Sequence, residues 1–222
     1  MSIMSANGAI VKVDPLFSGA NESQCDRPSA LVICICTIDA GAILAQVLSA
    51  IPGDSKASFL ILADVRRGFT TLLGERLRAE TYLSIWPMEL ECTLASGEGY
   101  LVPAQSSCEF REIEPGGAVQ AIEVPLVDDR AKESPVRMRE TCRRAAEIFG
   151  NKSIAVFLSS LAGDTVEAVQ EIKEAGGRVI CQNESTSLVV DGPRMAVQSK
   201  LADDVLPLWA ISGHLAEVLG TT

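Results

Sequence analysis

The stretch LVICICTIDAG, residues 31–41, joins a continuous apolar run to the start of a helical pattern. An apolar run without polar alternation is typical of a strand that is covered on both faces, as in a parallel sheet. Thr37 and Asp39 are residue types that cap helices, and the apolar spacing of residues 42–48, AILAQVL, predicts a helix after them. Open α/β sheets bind ligands at the carboxyl ends of their strands. The turn between this strand and this helix is therefore the first place to look for function.

The rest of the chain repeats the same order of strand and helix. Further buried strands are predicted at residues 58–63, 153–158 and 178–182, and helices at residues 70–79, 136–149, 165–175, 195–202 and 211–219. Strands that alternate with helices through short loops favour right-handed crossovers. The sequence therefore predicts an α/β fold, doubly wound, with a mostly parallel sheet between two helix layers.

Two segments depart from that order. Residues 81–127 contain short extended pieces separated by Ser-Gly, Pro and Gly-Gly signals, which predict an inserted region of β-hairpins. Residues 1–29 are rich in turn formers and predict an N-terminal arm or linker, with one short strand near residues 9–13. We expect residues 30–222 to form the α/β domain.

Composition excludes several classes of protein. Of the 222 residues, 47% are hydrophobic and 22% are charged, which is typical of a globular chain. A net charge of -10 disfavours sequence-independent binding of nucleic acid, which needs Lys and Arg against phosphates. No apolar stretch approaches the length of a membrane span. Seven cysteines without a secretory pattern at the start fit a reducing, cytoplasmic setting.

The cysteines include no C-x-x-C pair, the spacing of zinc ribbons and redox motifs. Most of them are interpreted as small buried hydrophobic residues. Cys34 and Cys36 alternate along the first strand, so both side chains are predicted on one face of the sheet. Of the seven, Cys36 at the strand end is the one positioned for chemistry.

Three strand-to-helix loops match the motifs of a known family. The first loop, residues 34–39, reads CICTID where the family pattern is G-A-S-T-G-G. The second, residues 63–70, reads ADVRRGFT where the pattern is Q-H-M-P-P-G-F-T. The third, residues 159–165, reads SSLAGDT where the pattern is T-G-M-G-x-D-G. Together with residues 75–77, ERL, and 204–208, DVLPL, they give a chain that resembles the CheB family, the chemotaxis receptor methylesterases. The resemblance runs from about residue 31 to 219. It implies the Rossmann-like methylesterase fold and hydrolysis of glutamate methyl esters on bacterial chemoreceptors.

The resemblance also implies where the catalytic triad should stand. The family places a nucleophilic serine in the first loop, a histidine in the second and an aspartate in the third. Carried over residue by residue, these positions hold Cys36, Asp64 and Asp164. Two of the three side chains needed for a serine hydrolase are therefore changed.

The first-loop glycines of the family, whose N–H groups approach the developing oxyanion, are also replaced. Their positions hold Cys34, Ile38 and Asp39. The chain has one histidine, His214, and it falls in the last predicted helix. A Ser-His-Asp mechanism, in which a histidine takes the proton of the nucleophile, is thus not available to this chain.

Other chemistry remains open on the residues. Cys36 could attack an ester as a thiolate, but two nearby carboxylates, Asp64 and Asp164, should raise the pKa of its thiol, and only Arg66 and Arg67 could offset them. The same three side chains could bind a metal, although a set without histidine and without supporting residues disfavours it. The first turn lacks the G-x-G-x-x-G of dinucleotide sites, so no cofactor is expected.

The prediction from sequence is therefore a methylesterase-like domain that has lost catalysis and acts by binding. The resemblance implies the helices of a chemoreceptor's cytoplasmic part, or another chemosensory protein, as the partner. Neither nucleic acid nor membrane insertion is expected. The alternative is an active protein-glutamate methylesterase that uses Cys36 as its nucleophile.

Overall fold

The computed structural model describes residues 27–37, 39–103, 106–125, 138–160 and 163–220, together with two strands near the start of the chain. Its strands are β1 (Ser2–Met4), β2 (Ile10–Lys12), β3 (Ala30–Cys36), β4 (Ala57–Ala63), β5 (Ser84–Pro87), β6 (Glu91–Thr93), β7 (Glu98–Val102), β8 (Ser106–Glu112), β9 (Val119–Pro125), β10 (Ser153–Phe157), β11 (Arg178–Gln182) and β12 (Asp204–Leu206). Its α-helices are α1 (Ala40–Leu48), α2 (Arg67–Glu80), α3 (Met138–Phe149), α4 (Thr165–Glu174), α5 (Asp191–Gln198) and α6 (Leu208–Val218). A 3₁₀ turn, Gly150–Lys152, links α3 to β10.

Seven strands form one central sheet in the order β12-β11-β10-β3-β4-β7-β5. Every neighbouring pair in this sheet is parallel, and β3 lies in the middle between β10 and β4. The predicted α/β fold with a parallel sheet is therefore confirmed.

Two cores cover the two faces of the sheet. Cys34 and Cys36 point to the face that α1, α2 and α6 cover, whereas Ile33 and Ile35 point to the face that α3, α4, α5 and the smaller sheet cover. All seven residues of β3 are buried, as are all seven of β4. Burial on both faces explains why these strands show no polar alternation.

The inserted region differs in part from the hairpins predicted there. Only β8 and β9 form a hairpin, which β6 extends to a three-stranded antiparallel sheet. β5 and β7 instead join the parallel sheet, with Ile61 of β4 beside Leu101 of β7. Short strands with turn signals between them look alike in sequence whether they pair with each other or with distant strands, so the sequence indicates the hairpin region but not the strands that β5 and β7 join.

Several helix ends also differ from the prediction. α2 begins three residues earlier, and α5 spans Asp191–Gln198 rather than residues 195–202. Gly192 and Pro193 indicate a break, yet both stand in the first turn of α5, where the backbone N–H groups have no partner within the helix and proline is tolerated. The three-residue strand β12 was not predicted at all.

The predicted end of α4 is confirmed. Gly176 has φ 77°, and its N–H donates to the carbonyl of Lys173 at 3.0 Å, while the N–H of Gly177 donates to the carbonyl of Ile172 at 2.9 Å. This pair of bonds is the Schellman motif, in which a glycine takes the left-handed conformation just after a helix.

The turn from β3 to α1 contains an unusual backbone conformation. Asp39 precedes α1 with φ 48° and ψ 41°, in the left-handed region, and its side chain makes no capping hydrogen bond. The expectation that this side chain caps the helix is therefore wrong. Its backbone has the conformation that glycine adopts at least cost, at a position where the resembled family has glycine.

Replacing Asp39 by glycine should therefore stabilise the protein. A side chain costs free energy in this conformation, and glycine removes that cost but makes the unfolded chain more flexible. We expect the first effect to be larger, so that Asp39→Gly raises the free energy of unfolding by about 0.5 to 1 kcal/mol. For a chain of this size the melting temperature should rise by about 1 to 4 °C. Asp39→Ala keeps a Cβ and should give no gain, and a glycine variant that melts below the parent would contradict the argument.

Candidate active site

Three of the loops that follow the central strands meet at the carboxyl edge of the sheet. Cys36 is the last residue of β3 and pairs with Ala63, so Asp64 follows directly on the neighbouring strand. On the other side, the N–H of Thr37 donates to the carbonyl of Ser159, just beyond β10, at 3.1 Å. The register therefore brings the three matched loops to one edge, as the sequence predicts.

Cys36 has no solvent-exposed surface, and neither has Cys34. Burial, with a smaller contribution from repulsion by Cys36, raises the pKa of Cys34 to about 12. Burial likewise raises the pKa of Cys92 and of Cys181 to about 12. A thiolate at such positions is costly, and a fully buried thiol has no open path to a substrate on another protein.

The two carboxylates at the other triad positions lie in different surroundings. Asp64 is exposed, and its side chain has no hydrogen-bond partner among the described residues. Asp164 is half-buried, and its two carboxylate oxygens accept the N–H groups of Met138 at 3.2 Å and Arg139 at 3.0 Å. These are the first two residues of α3, so the side chain of Asp164 caps that helix.

The position of Asp164 along the chain gives it a second structural task. It directly precedes α4, and its carbonyl accepts the N–H of Ala168 at 3.0 Å. One residue therefore begins α4 with its backbone and caps α3 with its side chain. That the two aspartates approach Cys36 closely stays a prediction.

His214 lies on α6, as the sequence predicts. Its Nε2 is 3.2 Å from Oδ2 of Asp204, the first residue of β12. β12 is the edge strand of the sheet, and β11 and β10 separate it from β3. The histidine therefore contacts a strand that is not a neighbour of the strand that carries Cys36.

A buried polar network next to β3 was missed in the sequence. Ser159 Oγ donates to Gln182 Oε1 at 3.3 Å and accepts the N–H of Leu188 at 3.0 Å. Gln182 Nε2 in turn donates to the carbonyl of Thr186 at 2.7 Å. Because Ser159 and Gln182 have no exposed surface, these bonds hold the loop after β11 against the end of β10. The only signal in sequence was two polar residues at the ends of apolar strands.

A second missed contact fixes the loop between β4 and α2. Arg67, at the start of α2, forms an ion pair with Glu123 of β9, whose side chain has no exposed surface. Ser106 Oγ donates to the same carboxylate oxygen at 2.5 Å. Loss of Arg67 would leave the buried carboxylate of Glu123 without its counter-charge, so this pair connects the start of α2, next to the loop that carries Asp64, to the smaller sheet.

The amino edge of the sheet carries a cleft of about 410 Å³. Ala30, Ile154 and Arg178 line it, and all three stand at or next to the first residue of a parallel strand. This cleft therefore lies across the sheet from Cys36 and does not serve the candidate site. Among the described residues, no group of three or more His, Cys, Asp or Glu side chains is arranged to hold a metal ion.

None of the helices within the described ranges combines the length and the apolar character that crossing a bilayer requires.

The parallel sheet and the three loops at its carboxyl edge define a doubly wound α/β protein. Residues 32–215 match the family model of the CheB methylesterase domain. The chain therefore belongs to the CheB methylesterase family.

Comparison with individual proteins agrees with that assignment. The chain is 31% identical over 207 residues to the protein-glutamate methylesterase FrzG of Myxococcus xanthus, an alignment that covers 93% of this chain and 60% of FrzG. It is 33% identical over 183 residues to a protein-glutamate methylesterase/protein-glutamine glutaminase of Moorella thermoacetica, covering 82% of this chain and 42% of that protein. The chain thus spans about half the length of these curated relatives.

A solved structure confirms the fold. The CheB methylesterase catalytic domain of Thermotoga maritima superimposes with a TM-score of 0.75 at 25% identity, covering 85% of this chain and 98% of that domain.

The two aspartates of the candidate site should respond differently to substitution. Asp164→Ala removes a helix cap, so we expect the free energy of unfolding to fall by about 1 kcal/mol. The same change at exposed Asp64 should stay within about 0.5 kcal/mol of the parent. Urea unfolding followed by circular dichroism measures both, and equal effects at the two positions would contradict the capping role.

Proposed function

We propose that this chain is a CheB-family domain that binds a chemosensory partner and does not hydrolyse esters. The observation that carries the proposal is the environment of Cys36, which stands at the nucleophile position with no exposed surface. The one histidine of the chain, His214, contacts Asp204 of β12, the edge strand that β11 and β10 separate from β3. Both requirements for an activated nucleophile, access and a base, are missing.

The size of the expected loss follows from related chemistry. In a serine hydrolase, removal of the nucleophile or the base lowers the turnover number by about a millionfold, and the catalysis that remains comes from the oxyanion hole and binding. Here the first turn holds Cys34, Ile38 and Asp39 at the positions where the resembled family has the glycines that would shape such a hole.

The scaffold, in contrast, is intact. The seven-stranded sheet, the two helix layers and the polar network of Ser159 and Gln182 all hold the carboxyl edge in shape. A protein partner can be recognised by such a surface without any reaction. By similarity to protein-glutamate methylesterases, we propose the helical cytoplasmic part of a chemoreceptor as the partner, and the cytoplasm as the setting, where free thiols such as those of this chain persist.

The alternative is an active esterase with Cys36 as the nucleophile. The position of Cys36 at the end of β3, where a nucleophile is presented in this fold, favours it. Such an enzyme would need the turn around Cys36 to open so that the thiol meets solvent and substrate. We further propose that residues 30–222 form the functional domain and residues 1–29 an arm.

Methanol release separates the two functions. The protein is incubated with a methylated chemoreceptor fragment, beside a Cys36→Ala variant and the CheB methylesterase catalytic domain of Thermotoga maritima as the active control. We expect both forms of this chain to release methanol at the background rate, because the nucleophile position is buried and lacks a base. Release by the parent that the variant loses would establish the alternative. Binding of the fragment by both forms, measured by sedimentation, supports the proposed function.

Thiol labelling tests the burial of Cys36 directly. With iodoacetamide at pH 8, peptide mapping should show Cys36 unmodified in the native protein and fully modified in guanidinium chloride. A free thiol has a pKa of about 8.5, so an exposed cysteine reacts readily at this pH. Modification of native Cys36 at the rate of an exposed thiol would contradict the proposal.

A further inference from the structure

Helix α2 exposes apolar side chains beside the candidate site. Phe69 is 61% exposed and Leu72 is 64% exposed, although both belong to residue types that are commonly buried. Only Thr70, Gly74 and Leu77 of its fourteen residues are buried. Phe69 and Leu72 are three residues apart and therefore lie on one side of the helix.

One arginine lies on each side of Phe69 and Leu72 along the chain. Arg66 precedes Phe69 by three residues, is exposed, and has no ion-pair partner among the described residues. Arg76 follows Leu72 by four residues, and half of its side chain is exposed. We call Arg66, Phe69, Leu72 and Arg76 the α2 stripe.

The α2 stripe begins next to the candidate site. α2 follows β4, so its first turn stands at the carboxyl edge of the sheet, next to Asp64. A Cβ added to Gly41 would lie only 2.9 Å from Nη1 of Arg76, so the guanidinium group covers the first turn of α1. The stripe therefore runs from the loop after β4 to the turn that follows Cys36.

The charge of the stripe is opposite to that of the chain. The protein has a net charge of -10, yet residues 66–80 contain four arginines and two glutamates. Arg67 is paired with buried Glu123, and Arg78 lies over the ring of Trp86 at 4.8 Å. Among the residues that the structure describes, Arg66 makes no such contact, and the ion-pair partner of Arg76 is the exposed Glu80 of its own helix, 3.1 Å away.

We propose that the α2 stripe binds an acidic amphipathic helix of a partner protein. Two apolar residues between two arginines complement a helix whose apolar residues are flanked by Glu or Asp, because opposite charges steer the encounter and apolar contact holds it. A second copy of this chain fits poorly, since a symmetric contact through the stripe would oppose arginine to arginine. The choice of a chemoreceptor as the protein that supplies this helix rests on the proposed function.

Two probes test it, each measured by fluorescence anisotropy against the full chain. The first is a designed 20-residue helical peptide with a leucine stripe between glutamates, with a lysine version as its control. The second is a soluble helical fragment of a chemoreceptor's cytoplasmic part. The variants are Arg66→Glu with Arg76→Glu, Phe69→Ala, and Lys152→Glu as the matched control, since Lys152 is exposed and stands at the opposite edge of the sheet.

We expect both acidic probes to bind the parent and the Lys152→Glu variant equally. The double arginine variant should lose at least about tenfold in affinity and Phe69→Ala about fivefold. A melting temperature within about 3 °C of the parent shows that each variant is folded, since Arg66 and Phe69 are exposed and Arg76 is half-exposed. Binding should weaken between 50 and 500 mM NaCl, since salt screens exposed charges.

The outcomes separate this inference from the proposed function. If the receptor fragment binds the parent and both stripe variants equally, the stripe is not the docking surface, while the proposed function stands. If the peptide binds through the stripe but the receptor fragment does not bind at all, the surface stands and the chemoreceptor is the wrong partner. If neither probe binds, or if the lysine peptide binds as well as the acidic one, the inference is overturned.

Discussion

The pairing of β3 with β10 on one side and β4 on the other is the constraint on which the rest of the structure depends. Both neighbours are parallel to β3, so their carboxyl ends lie together and their following loops meet. The requirement that a central parallel strand be buried on both faces also places Cys34 and Cys36 inside the core between the sheet and α1. The pairing that brings the three loops together at this edge thus also buries the thiol of Cys36.

The polar contacts at this edge stabilise the loops that follow the strands. Ser159 and Gln182 satisfy each other and the loop after β11, Glu123 holds Arg67, and Asp164 caps α3. Ser159, Gln182 and Glu123 are buried and Asp164 is half-buried, so these bonds form largely away from solvent. A catalytic site also needs groups that neighbours position but that stay free to take or give a proton to a substrate.

Sequence reasoning recovered the parallel architecture because long apolar strands and helical spacing are strong local signals, as in β3, β4 and α4. It failed for β5, β7 and β12, which are three to five residues long and depend on distant partners for their place in the sheet. The candidate positions Cys36, Asp64 and Asp164 were predicted from matched motifs. The burial of Cys36 and the capping role of Asp164 became visible only in the structure. Neither the burial of Cys36 nor the hydrogen bonds from α3 to Asp164 can be derived from spacing, since both depend on elements more than twenty residues away.

Asp164 connects two helices that are separate along the chain. Its backbone directly precedes α4, and its side chain accepts the first two N–H groups of α3. A change of this one residue would therefore affect the starts of both helices. An aspartate at this position is by itself weak evidence of esterase activity, because the cap of α3 requires the same side chain.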